Sequence, residues 1–150
     1  MQILGRVDIA DFEEFELEDI KLKMDTGAYT SSIHAHDIRE VELDGEKHIE
    51  FKLLDPSHPQ YQNRVFRTNN FKQKRVKSSF GSVEERYVIA TKITLFGKVY
   101  SIQLSLSERG NMKYPILIGR RFLQKKFMVD TSIKNVSYNQ KMSDQPTSKK

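Results

Sequence analysis

The chain contains no cysteine, which removes both a disulfide framework and a thiolate metal site. It has no apolar run long enough for a transmembrane helix. Its first fifteen residues, MQILGRVDIADFEEF, carry acids where an export signal carries a long apolar core. No Gly-x-x-x-x-Gly-Lys-Ser/Thr loop is present to cradle nucleotide phosphates, and no His-Glu-x-x-His pair is present to hold a peptidase zinc. These absences lead us to expect a soluble cytoplasmic protein without membrane contact.

What remains is a 150-residue chain, 37% hydrophobic and 30% charged, long enough to bury one proper core. Its net charge of +5 is unevenly spread. Acids crowd the stretch from Asp8 to Glu18 and Asp19, whereas Lys72, Lys74, Arg75 and Lys77 share one short segment. Arg120, Arg121, Lys125 and Lys126 make a second cluster. Basic clusters attract phosphate backbones or acidic peptides, although a solvated face is the commoner meaning of such a run.

The dominant period is two, the mark of strands. Phe15, Leu17, Ile20, Leu22 and Met24 alternate with charged residues, and the parity slips at Asp19 as a bulge would make it. Val41 and Leu43 lead through Asp44-Gly45 to Ile49, Phe51 and Leu53, a strong hairpin signal. Ile89 to Leu95 and Tyr100 to Leu106 flank Phe96-Gly97-Lys98 and form a second hairpin. Residues 60–81 are polar and basic, the place for a mobile flap or insertion. One short helix is expected near residues 119–125. The chain reads as one all-β domain over residues 1–138, followed by a disordered basic tail over residues 139–150.

Within this pattern the segment KMDTGAYTSS is unusual, because a strand delivers the lone carboxylate of Asp25 to its end. Gly27 permits unusual dihedrals and a close approach by another chain or ligand. The Thr26 hydroxyl can lock the turn by hydrogen bonding. Two such carboxylates in contact cannot both ionise easily, so they share a proton. One then serves as base toward water while the other protonates a carbonyl oxygen.

An Asp-Thr-Gly triplet alone is a weak signal, but YPILIGRRFL downstream adds an apolar strand that ends in Gly119 and Arg120. Together with RVKSSFGSVEERYVIATKITL, SLSERGNMKYPILIGRRFL and FMVDTS, these pieces resemble the RimK-associated retropepsin-like aspartic peptidases. That family is often described as ATP-dependent zinc proteases. The resemblance spans roughly residues 3 to 137 and implies a retropepsin-like β barrel and a functional link to RimK-type glutamate ligases. By that resemblance Asp25 is the catalytic acid, and Thr26, Gly27 and Ala28 form its substrate-facing loop. Gly119 and Arg120 support the loop, with Arg109 also near the site. His34, Arg86 and Met112 match family positions without an assigned step. Tyr29 stands where viral retropepsins carry an acid that braces the dimer.

Only one Asp-Thr-Gly is present, so a dyad requires a symmetric homodimer that contributes Asp25 twice. Asp130, in the echoing Val-Asp-Thr-Ser segment, lacks the glycine and reads as a structural or surface residue. His34 and His36 are two apart and could face one side of a strand, with Asp25 or Asp37 nearby. They do not complete a recognisable zinc set, and no metal or other cofactor is expected. The leading expectation is an aspartic endopeptidase acting on acidic or glutamate-extended protein tails. Lys72, Lys74, Arg75 and Lys77 would contact those tails. The alternatives are a non-catalytic module that uses the groove to bind an acidic partner, and a nucleic-acid binder. The last would use Phe66, Phe71 and Phe80 to stack bases, but it leaves the Asp25 loop unexplained.

Overall fold

Alternation along the chain becomes strands in the computed structural model, which describes residues 1–77, 81–108 and 113–144. The strands are β1 (Gln2–Leu4), β2 (Val7–Phe12), β3 (Leu17–Met24), β4 (Ser31–Leu43), β5 (Glu46–Leu53) and β6 (Phe66–Thr68). They continue as β7 (Phe71–Lys77), β8 (Val83–Leu95), β9 (Lys98–Ser107), β10 (Ile116–Ile118) and β11 (Phe127–Val129). The all-β expectation holds. Among the described residues no helix is long and apolar enough to cross a membrane.

The main sheet closes on itself. Its order runs β10-β3-β2-β8-β9-β4, and β10 pairs with β4 as well as with β3. Closure leaves no free edge around that ring. Ile20, Leu22, Ile33, Ile93, Leu104, Ile116 and Ile118 are fully buried, and each such side chain contributes about 1.5–3 kcal/mol of hydrophobic stabilisation. Both expected hairpins form. Asp44 and Gly45 have φ of 52° and 78°, and Phe96 and Gly97 have φ of 54° and 70°. Left-handed conformation at both central residues matches the twist of the flanking strands. The parity slip is a bulge: Asp19 has φ 53°, and the β2–β3 register shifts between Ala10 and Phe12.

The polar stretch that reads as a flap or insertion is paired in good part. β6 adds to β5, and β7 runs antiparallel to β8 from Phe71↔Ile89 to Lys77↔Val83. The first two candidate base-stacking rings are occupied elsewhere. Phe66 packs against Phe15 at 5.2 Å and Phe51 at 6.0 Å, and Phe71 edges onto Tyr87 at 5.9 Å. Phe80 lies outside the described residues.

The expectation of a single helix followed by a disordered tail from residue 139 needs correction. Besides α1 (Arg120–Leu123) there is a second helix, α2 (Val136–Asp144), so residues 139–144 are helical and residues 145–150 lie outside the described residues. The cause is tertiary. Buried Asp8 accepts the N–H of Ser137 at 2.9 Å and of Tyr138 at 3.1 Å, which satisfies donors at the start of α2. Ser137 Oγ in turn accepts the Phe96 N–H at 2.9 Å. Lys141 Nζ reaches Asp11 at 3.2 Å and Asp19 at 2.8 Å. Burial pushes the Asp8 carboxyl up from its ordinary range, against the downward pull of the N–H groups of Ser137, Ile9 and Tyr138. Asp8→Ala should therefore lower stability by about 1–2 kcal/mol, because the helix loses its cap. Denaturant titration measures this, and an unchanged midpoint would show that α2 holds without Asp8.

Candidate active site

Three residues of β10 position the site. Ile118 pairs with Met24 in the parallel register of β10 and β3, so the two strands end side by side. Asp25 follows one and Gly119 the other. The Asp25 N–H continues the ladder to the Ile118 carbonyl at 2.8 Å, which fixes the backbone that carries the carboxylate.

The loop from Asp25 to Thr30 then folds back on itself. Ala28 N–H donates to the Asp25 carbonyl at 3.1 Å, and Gly27 N–H donates to Asp25 Oδ1 at 3.2 Å. The first N–H groups of α1 have no partner within their own helix, and the loop supplies acceptors for them. Arg120 N–H donates to the Ala28 carbonyl at 2.8 Å, and Arg121 N–H to the Tyr29 carbonyl at 2.9 Å. The Arg120 side chain adds a bond from Nη1 to the Thr26 carbonyl at 3.0 Å and lies over the Tyr29 ring at 5.8 Å. Buried Ser31 accepts the Gly119 N–H at 2.9 Å through Oγ. Sequence reasoning gave Ser31 no role and Tyr29 no contact with Arg120; a small hydroxyl at the start of a buried strand was the available signal for the first.

The two glycines differ. A Cβ on Gly119 would lie 2.6 Å from the carbonyl oxygens of both Tyr29 and Thr30, so only glycine lets loop and helix approach. Its φ of −94° is ordinary; space is the constraint. A Cβ on Gly27 would meet only Asp25 Oδ1, at 3.4 Å, and no positive φ demands glycine there. The expected close approach at Gly27 has no counterpart among the described residues of this chain.

A family profile for the RimB-like retropepsin-like aspartic endopeptidases matches residues 3–140. The chain belongs to the RimB-like family. A probable alpha-L-glutamate ligase of Shewanella halifaxensis is 37% identical over 134 residues, which cover 87% of this chain and 28% of that protein. One of Desulfotalea psychrophila is 34% identical over 136 residues, covering 88% and 28%. The chain thus spans little more than a quarter of these relatives. A crystal structure of a Legionella pneumophila protein of unknown function superposes with a TM-score of 0.69 at 26% identity, covering 91% of this chain and 98% of that one.

In this RimB-like chain the remaining predicted residues scatter. Arg109 and Met112 lie outside the described residues, and Arg86 pairs with Glu84 at 3.2 Å. The basic run on β7 is divided between the two faces of the strand. Strand pleating sends Lys72 and Lys74 to one face and Arg75 to the other, where Arg75 meets Glu85 at 3.7 Å. The side chain of Lys77 lies outside the described residues. Asp130 accepts both the N–H and the hydroxyl of Ser132, at 2.9 and 2.6 Å, and these bonds hold its carboxyl below the usual range.

The histidines do not assemble a zinc site. The His34 and His36 rings lie nearly parallel 6.3 Å apart, and His36 stacks on Tyr61 at 5.6 Å. Asp37, 3.7 Å from His36 Nδ1, also faces Lys52 Nζ at 3.6 Å. Among the described residues no group of three or more His, Asp or Glu could hold a metal ion.

Gly119→Ala should displace the Asp25 loop, because backbone cannot yield as a flexible side chain would. We expect a loss of about 1–3 kcal/mol in stability, measured by denaturant titration. An unchanged midpoint would show that the contact is not needed.

Proposed function

We propose that this chain is an aspartic endopeptidase whose catalytic pair is Asp25 from each of two protomers, acting on acidic or glutamate-extended protein tails. The observation that carries this reading is the state of Asp25. It is half-buried on a backbone held by β10, and its carboxylate accepts only the Gly27 N–H among the described residues. Asp130, in the echoing Val-Asp-Thr-Ser segment, caps its own turn with Ser132. A single chain therefore offers half a dyad. The exposure of Thr26, Gly27 and Tyr29 beside it leaves room for a two-fold mate.

In the pair, one carboxylate takes a proton from water as the oxygen attacks the scissile carbonyl carbon. The other gives its proton to the carbonyl oxygen. Collapse of the tetrahedral intermediate breaks the C–N bond and transfers a proton to the leaving amine. Arg120 and the α1 N–H groups hold the loop so that the carboxylate does not reorganise during the step.

The substrate class rests on the relatives. Proteins named as glutamate ligases contain a segment like this chain, and a peptidase is the activity that would open a bond such a ligase makes. We infer a functional link to a ligase of that kind.

Asp25→Asn should reduce hydrolysis of a glutamate-tailed protein at least ~100-fold with little change in thermal midpoint, because an amide cannot exchange protons with water at neutral pH. Undiminished turnover by a folded variant would end the aspartic mechanism. Sedimentation across a concentration series should show activity rising with the dimer fraction; full activity in a monomer would exclude a shared pair.

A further inference from the structure

The two basic clusters, far apart in sequence, meet on the outer face of the β8–β9 hairpin. Lys74 from β7, Lys92 from β8, and Arg121 and Lys126 from around α1 line one open groove of about 440 Å³. The register explains the convergence. Ala90 lies opposite Gln103 and Lys92 opposite Ser101, and Lys72 opposite Val88, so Lys74 shares their face two residues along. Lys92 belongs to neither basic run of the sequence and sits alone among apolar and hydroxyl residues.

These cations differ from those held in ion pairs elsewhere in the chain. Arg39 and Arg67 bracket Glu50, Arg64 meets Glu16, and Lys141 meets two aspartates. None of the four groove cations has an ion pair among the described residues. Arg121 donates to Gln103 at 2.9 Å, and Lys126 to the Phe122 carbonyl at 3.1 Å. The one acid on the wall, Glu14, accepts the Thr91 hydroxyl. Converging cations without ion pairs attract an extended anion.

We propose that this groove is an exosite that holds a carboxylate-rich peptide segment beside the Asp25 loop. The inference rests on the endopeptidase reading for its meaning but not for its test. Thr30 ends the loop that Asp25 begins and Ser31 opens β4, and both line the groove, so a chain seated there lies next to that loop. A peptide is favoured over a nucleic acid because the one groove aromatic, Phe122, is buried, and base stacking needs an open ring.

The experiment measures anisotropy of a fluorescent hexaglutamate peptide on the full chain carrying Asp25→Asn, at low and high salt. Lys74→Gln with Lys92→Gln removes two cations that bond to no side chain among the described residues, so folding should be unaffected. Lys98→Gln with Lys134→Gln removes two exposed cations elsewhere that have no ion pair among the described residues. The groove pair should weaken Kd about five-fold or more and flatten its salt dependence, with the control within two-fold. Equal shifts in both pairs would overturn the exosite, as would tighter binding of a six-phosphate oligonucleotide lost in the groove pair. If hexaglutamate binds here while unsubstituted protein cleaves nothing, the groove stands and the endopeptidase reading falls. If the protein cleaves while binding is indifferent to the groove pair, the endopeptidase reading stands and the exosite falls.

Discussion

Ile116–Ile118 hydrogen-bonds on both sides, parallel to β3 and antiparallel to β4, and the barrel closes only through it. Each ladder bond contributes about 0.5–1.5 kcal/mol net, while buried Ile116 and Ile118 add apolar burial at the same place. Stability and site geometry therefore share one cause. The wedge that shuts the barrel also sets Asp25 beside Gly119, and the α1 N–H groups then find their acceptors in the loop carbonyls. Disturbing any one of these contacts disturbs the placement of the carboxylate.

The chain beyond that wedge is held in a second way. β11 runs parallel to β1 through Gln2↔Phe127, Ile3↔Met128 and Leu4↔Val129, so both ends of the fold meet in one small sheet. From there α2 reaches back to Asp8 and to the bulge at Asp19. Asp19 serves two purposes: its left-handed backbone makes the bulge, and its carboxylate receives Lys141. An irregularity in a strand thus becomes an anchoring point for the last helix.

Local signals were legible and distant ones were not. Asp44-Gly45, Phe96-Gly97 and the parity slip at Asp19 each act within a few residues, and each appears where the pattern put it. The Asp25 loop and the apolar strand ending at Gly119 were also readable, and family resemblance joined them. What alternation could not give was α2. Its sequence VSYNQKMSD has no strong apolar face, and its cap comes from a residue 129 positions away. Propensity gives way to tertiary contact there. The charge run on β7 is legible along the chain as a cluster, but a strand divides neighbours between two faces, so Lys74 joins Lys92 and Arg121 rather than Arg75.

The contrast between Gly119 and Gly27 bears on how a second carboxylate could arrive. Gly119 is required by its own chain, since any Cβ would strike the carbonyls of Tyr29 and Thr30. Gly27 is not, because its side-chain position is open except for the Asp25 carboxylate at 3.4 Å. A residue that leaves space beside an incompletely partnered acid keeps that acid approachable. The same surface is exposed at Thr26 and Tyr29, while the loop beneath it is bonded at Thr26, Ala28 and Tyr29 by Arg120 and Arg121. Rigid below and open above is the condition for a second carboxylate to meet the first without either loop having to rearrange.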